Sequence, residues 1–375
     1  MNDRRSFLKQ FALMGGIGAA GSVPVRAAVH WLRTTAPVEN GEILSMEPSP
    51  DSGVFSPLDR ITLHSPKAGK IMLFDGKDRL YLEKAIGGTL EIILGGHLGS
   101  QLLLLIDGED RILDYLAFRL EAETSIRDAS GKYRQLLDNL YYTMIDEWQR
   151  EGGVVRYHGQ FYHHFVGWLR DHVHTMKGMK YFYPELRTGI DLYADSQRED
   201  GMIWDNYNKR PQEGDYWEQR FDYADFVKIV DEGLQEFRRI PVENDVEYLF
   251  IEGLYFTWKA TADTGWMKSR LDHALKALEY TTGSPYRWSE QYGLLKRGYT
   301  IDTWDFQNDE DADISTGPDQ TADPMVIKLP YTRFGIMFGD NTGMAASCAY
   351  LAEMLEVAGR NEEASRVKET GEEIR

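Results

Sequence analysis

Three short segments set aromatic rings beside carboxylates. The first is Trp168-Leu169-Arg170-Asp171, preceded by Tyr157, Phe161, Tyr162 and Phe165. The second is Gln197-Arg198-Glu199-Asp200-Gly201-Met202-Ile203-Trp204-Asp205. The third is Gly298-Tyr299-Thr300-Ile301-Asp302-Thr303-Trp304-Asp305-Phe306. Sugars present C–H faces that suit aromatic planes and hydroxyl edges that suit carboxylate, Arg and Asn groups. Cleaving a glycosidic bond needs one carboxylic acid to protonate the leaving oxygen. A second carboxylate then activates water or attacks the sugar. Asp305, between Trp304 and Phe306, is expected to have its pKa raised by desolvation, as a general acid needs.

Other chemistries fit less well. Five of the nine histidines fall between 158 and 174, namely His158, His163, His164, His172 and His174. With Asp171 they offer a transition-metal alternative. On a helix, however, His172 and His174 diverge, and no His-Glu-x-x-His spacing exists. The acidic run 309–313 fails as a calcium loop, because Ile314 stands where glycine is required. Gly16-Ile17-Gly18-Ala19-Ala20-Gly21 matches a dinucleotide fingerprint but lacks the strand that must precede it. No nucleophile elbow or phosphate loop appears. The expected chemistry therefore calls for no metal and no cofactor. With 42 basic and 60 acidic residues the net charge is −18, against nucleic-acid binding. The single cysteine, Cys348, excludes an internal disulfide framework and a cysteine zinc site.

The elements that would position these residues change period along the chain. Residues 59–128 read as β: apolar runs at 71–74, 90–94, 102–106 and 112–120 alternate with Asp75-Gly76, Gly87-Gly88, Gly95-Gly96 and Asp107-Gly108. That rhythm predicts an antiparallel β-sandwich. After Gly131 the period becomes helical. Leu137, Leu140, Tyr141, Met144 and Trp148 share one face; Leu186, Ile190 and Tyr193 a second; Val246, Phe250, Leu254 and Trp258 a third. Leu271, Leu275 and Leu278 form a fourth, and Cys348, Leu351 and Leu355 a fifth that ends at Gly359. The charged segment 362–375 also reads as helix, and the three aromatic segments fall in loops between helices.

The first residues look like an export address. Asp3-Arg4-Arg5-Ser6-Phe7-Leu8-Lys9 resembles the twin-arginine motif, followed by a mild apolar stretch at 11–20 and a small-residue site at Val25-Arg26-Ala27. The expected partners are the twin-arginine export machinery and a carbohydrate, and the expected location is periplasmic or extracellular. No apolar run reaches the roughly 18 residues that span a bilayer. The domain reading is a signal peptide at 1–28, a linker at 29–58, the sandwich at 59–128 and a catalytic helical domain at 131–375.

The three segments, in this order after a β-domain, resemble the six-hairpin glycosidases, nearest to glucoamylases and glycogen-debranching glucosidases. The resemblance implies that the helices belong to an (α/α)6 toroid, only part of which lies in this chain. Arg170 and Asp171, with Trp168, would grip the hydroxyls of the sugar being cleaved. Asp200 and Trp204 would wall the same pocket. Asp305 would be the general acid and Asp302 the neighbour that positions it, or the two exchanged. Trp304, Asp340 and Asn341 complete the expected pocket, although Asp340-Asn341 also reads as a helix cap. The reaction implied is inverting hydrolysis, with a base downstream of Arg375. The competing reading is a non-catalytic carbohydrate-binding protein.

Overall fold

The computed structural model describes residues 43–49, 54–109, 111–122, 124–151, 154–158, 160–163, 167–183, 185–209, 226–230, 235–240, 243–298 and 334–375. The chain divides into two units, Met1–Gly152 with Tyr181–Pro184, and Gly153–Lys180 with Glu185–Arg375.

The first unit is built on one sheet. Its strands are β1 (Ser45–Glu47), β2 (Val54–Phe55), β3 (Arg60–Phe74), β4 (Leu80–Ile93), β5 (Gly99–Ile106) and β6 (Ile112–Leu120), followed by helix α1 (Lys132–Glu151). The order is β1-β3-β5-β6-β2, with β4 on the other side of β3 and only the β2–β6 pair parallel. The sandwich expectation is corrected here: the described strands join in a single hydrogen-bonded sheet. It curls so that residues from all six strands, among them Phe55, Leu63, Ile92, Leu103 and Phe118, share one core. Along β5 the residues alternate between that core (Leu103, Leu105) and a second cluster on the opposite face (Leu102, Leu104, Ile106). A strand buried on both faces reads as an unbroken apolar run, as Leu102–Ile106 does.

Three of the four turn pairs behave as their chemistry requires. Asp75 and Asp107 each accept from the backbone N–H groups two and four residues on, closing the turns after β3 and β5. Gly87-Gly88 instead lies inside β4, opposite the register shift between Ser65 and Gly69, so it serves a bulge. Two further boundaries move. β1 and β2 come from the stretch read as a linker, and α1 groups with the sheet instead of the helical unit.

The second unit carries six helices among the described residues: α2 (Leu169–Met179), α3 (Arg187–Ser196), α4 (Val246–Thr261), α5 (Thr264–Gly283), α6 (Phe338–Val357) and α7 (Asn361–Ile374). Short antiparallel strand pairs (β7 Val154–Tyr157 with β8 Gln160–His163, β12 Trp288–Ser289 with β13 Leu294–Leu295, β14 Arg297–Gly298 with β15 Phe334–Gly335) and a three-stranded sheet accompany them. That sheet is ordered β10 (Val227–Val230), β11 (Gln235–Arg238), β9 (Asn206–Lys209).

The connections α4–α5 and α6–α7 are two and three residues long, which folds each pair into a helical hairpin. Asp263 caps α5 by accepting from the Trp266 N–H at 2.9 Å, and Gly359 ends α6 with φ +80°. α4 packs against α2, α3, α5 and α6. Its residues Tyr248, Phe250, Ile251, Leu254 and Trp258 are buried around most of its circumference, as a central helix requires. So α4 lies between α2 and α6, α3 and α5 pack on α4, and α7 packs on α6: two helical hairpins and two further helices, where a ring of six hairpins needs twelve helices. No described helix is long and apolar enough to cross a membrane.

Candidate active site

The chemistry of the second unit concentrates where α2, α4 and α6 begin. Arg170 sits in the first turn of α2, Asp245 at the N-cap position of α4, and Asp340 in the first turn of α6. A carboxylate at a helix start is favoured by the macrodipole, whereas a guanidinium there is not. Arg170 is held by its neighbours instead. Its Nε and Nη2 donate to the two Asp245 oxygens at 2.7 and 2.9 Å, and Nη2 also donates to Glu243 Oε2 at 2.9 Å. Arg297, from β14, donates in the same forked way to Asp340 at 2.7 and 2.8 Å, and to Asn244 Oδ1. The starts of three helices are thereby tied through one buried ion network.

Behind it lie Asp205, Arg239, Glu247 and Arg287, all at most 2% exposed. Backbone bonds fix Asp205: its N–H donates to Arg238 O at 2.8 Å, and its carbonyl accepts from Leu169 N–H at 2.7 Å. Arg239 Nη2 donates to Glu243 O at 2.6 Å and to Glu247 Oε2 at 3.0 Å. Among the described residues the carboxyls of Asp205 and Glu243 face each other with no other donor at Asp205 Oδ1, Asp205 Oδ2 or Glu243 Oε1, and Arg239 Nε and Nη1 meet no acceptor. Unsatisfied buried polar groups are rare and gather at sites of function.

The electrostatics separate the carboxyls by role. Burial pushes Asp205 up to about 6 against the pull of Arg239 and Arg170. Glu243 is pushed well above the usual carboxylate range, first by burial and then by the charge of Asp205. Burial also works on Asp245, but the hydrogen bonds and charge of Arg170, with the charges of Arg297 and Arg239, hold it below that range. Burial lowers Arg287 to about 10, with Arg239 as the nearest like charge. Four guanidinium groups (Arg170, Arg239, Arg287, Arg297) thus meet five carboxyls (Asp205, Glu243, Asp245, Glu247, Asp340). One proton makes that set neutral.

The sequence-derived residues distribute unevenly. Arg170 and Asp340 belong to the network. Asp171 is exposed in the first turn of α2, where the helix dipole accounts for it. The segment 168–171 opens a helix and is not a loop; Trp168 is its half-buried N-cap, bridged to Asn206. Trp204 is 3% exposed, its indole N–H donates to Ser196 O at 2.8 Å, and its ring packs near Phe237, so the structure places it in the core. Asn341 pairs its side chain with both backbone groups of Leu295, at 2.8 and 3.1 Å, so it locks a strand.

Asp200 is paired with Arg198 and faces solvent, away from the network. The turn that follows it is tightly built. Gly201 has φ +98°, and a Cβ there would stand 2.2 Å from Lys276 O. Gly201→Ala is expected to cost about 1–3 kcal/mol in urea-unfolding stability, from strain and that clash; a neutral outcome would mean that the turn is free of α5. Asp302, Trp304 and Asp305 lie outside the described residues.

Among the described residues no set of three His, Cys, Asp or Glu side chains is placed to hold a metal ion. His172 is fully buried on α2, and burial lowers it to about 3. Sequence reading passed over Glu243, Asp245, Arg239 and Arg297. Two signals were available: Asp205 follows Trp204 directly, and Glu243, Asp245 and Glu247 alternate just ahead of an apolar helix.

No family model and no curated protein matches the chain. Among solved structures, a rhamnosidase from Klebsiella oxytoca with rhamnose bound is 12% identical with TM-score 0.36, over 85% of this chain and 62% of that one. A family 76 glycoside hydrolase from a bovine Bacteroides thetaiotaomicron strain is 10% identical with TM-score 0.34, over 90% and 78%. A family 78 rhamnosidase of Bacillus sp. GL1 is 12% identical with TM-score 0.35, over 84% and 31%. These neighbours are glycoside hydrolases. The chain spans about three-fifths of the length of the first. Fold likeness at this level assigns no activity, so function rests on the site itself.

Proposed function

We propose that the chain is an exported glycoside hydrolase that works by carboxyl acid catalysis, with the network at the starts of α2, α4 and α6 as its acid site. The observation that carries the reading is the Glu243–Asp205 pair, two fully buried carboxyls that desolvation pushes upward, beside Asp245, which the hydrogen bonds and charge of Arg170 hold low. Environments that push neighbouring carboxyls apart in this way mark acid and base assignments. Support also comes from the sequence, where two of the three aromatic and acidic segments contain Asp205 and Arg170. Export rests on the twin-arginine-like residues 3–9 and the small-residue site at 25–27. In this reading a protonated carboxyl gives its proton to the departing oxygen, and water attacks the anomeric carbon from the opposite face while a second carboxylate takes up the proton that the water loses. Asp305 remains the rival acid, because Trp304 and Phe306 flank it in the sequence.

The test is hydrolysis of a panel of neutral aryl glycosides by the full chain, followed by Glu243→Gln and Asp305→Asn compared side by side. The acid should lose about 100-fold or more in turnover, since acid catalysis contributes 10²–10⁴. Loss in Asp305→Asn alone moves the acid to Asp305. Glycan binding without turnover of any glycoside replaces the enzyme with a carbohydrate-binding protein.

A further inference from the structure

A concave site is lined by residues of the segments that also build the acid network. Asp200 follows the end of α3, Glu279 lies in the last turns of α5, and Tyr286 directly precedes the buried Arg287. Between them is a cavity of about 340 Å³, within the roughly 300–1,000 Å³ of small-molecule sites. Its walls are aromatic: Phe226 and Tyr286 meet edge to face with ring centroids 6.3 Å apart. The Arg198 guanidinium stands over both Phe226 (5.6 Å) and Tyr280 (5.9 Å). Two hydrogen bonds to Asp200, at 2.8 and 2.6 Å, hold that guanidinium in place.

We infer that this cavity is a distal binding site for one residue of a neutral glycan chain, outside the bond being cleaved. The inference rests on the glycoside-hydrolase reading for its role but on its own residues for its ligand. Fixed rings suit the apolar face of a pyranose, and the exposed carboxylates of Asp200 and Glu279 accept from its hydroxyls. Two carboxylates against one guanidinium leave a net negative charge. The C-terminal end of α5 adds the negative pole of its dipole, so uronate or sulfated chains are disfavoured. The same chain segments present Asp205 and Arg287 to the network and Asp200 and Tyr286 to the cavity, which places the site at the same end of the helices as the acid.

The experiment measures calorimetric binding of neutral glucose and mannose oligomers of one to seven residues to the full chain, with polygalacturonate as the acidic comparison. Affinity for one neutral series should rise about tenfold with length, and Tyr286→Ala should remove that gain, as loss of ring stacking would. Glu279→Gln, at an exposed position, should weaken binding in the same direction without changing the melting temperature. Length-independent binding, unaltered binding in Tyr286→Ala, or equal affinity for polygalacturonate overturns the inference. The result separates from the activity reading. Tyr286-dependent binding without hydrolysis leaves this site standing, and hydrolysis with no Tyr286 dependence removes the site and keeps the enzyme.

Discussion

Arg170→Met is expected to destabilise the protein by about 3–5 kcal/mol, a fall in melting temperature of roughly 6 °C or more. The guanidinium is 15% exposed, and its partners Glu243 and Asp245 are 0% and 6% exposed. Methionine matches the aliphatic stem but leaves two buried carboxyls without their hydrogen bonds. Removing one member of a buried pair costs far more than the net worth of the pair, because the remaining charge stays desolvated. Arg187→Met provides the contrast. Arg187 also bridges two acids, Asp263 and Glu185, but its side chain is 41% exposed, so the loss should stay below about 1 kcal/mol. Calorimetry of both variants at neutral pH decides the matter. Equal losses would mean that the network at the helix starts does not hold α2 to α4. A large loss for Arg170 alone also shows why a basic residue tolerates the positive end of a helix: it is there for the acids opposite.

How much of this was legible beforehand depends on range. Period-two and helical patterns located β3 to β6 and six of the seven described helices, because each pattern is local and each apolar face has one core to meet. α2 was missed. Its buried residues Leu169, Val173 and Met176 keep a helical spacing, but His172 and Arg170 interrupt the run with polar side chains. Arg170 is half-buried because its partners Glu243 and Asp245 lie more than 70 residues away in the chain. The candidate site shows the same limit. Arg170 stands out by type, yet its partners come from 243–245, and the link from Arg297 to Asp340 spans another loop. Nothing local distinguishes Asp205 from the other acids of its segment; what sets it apart is burial beside Arg239, which only the fold creates. Trp204 shows the opposite case, since its ring type suggests a sugar platform while the fold places it in the core. The curl of the sheet was likewise invisible, because strand spacing records turns and not how far a sheet bends.

Glu243→Gln is expected to lower turnover by about 10²–10⁴ while leaving the protein at least as stable as the parent at pH 8. Most substitutions of a buried charged residue destabilise, so this pairing of outcomes is specific to a group that is protonated in the folded state. The sign follows from linkage. Asp205 is raised to about 6 in the fold from near 3.9 in the unfolded chain, and burial raises Glu243 in the same direction. The folded protein therefore binds more protons than the unfolded one across that interval. The pair's contribution to stability is full below about pH 4 and is lost as pH rises through 6 and above. Glutamine reproduces the shape of the protonated acid and can donate to Asp205, but it has no proton to release. It should flatten the parent's decline in melting temperature between pH 5 and 8, and with it remove the alkaline limb of the pH–rate profile. Matched melting and rate profiles across that range test both halves. A parent that grows more stable from pH 5 to 8, with Glu243→Gln parallel to it, would show that both carboxyls are ionised. In that event the fifth negative charge is balanced by something other than a proton, and the acid must be sought at Asp305.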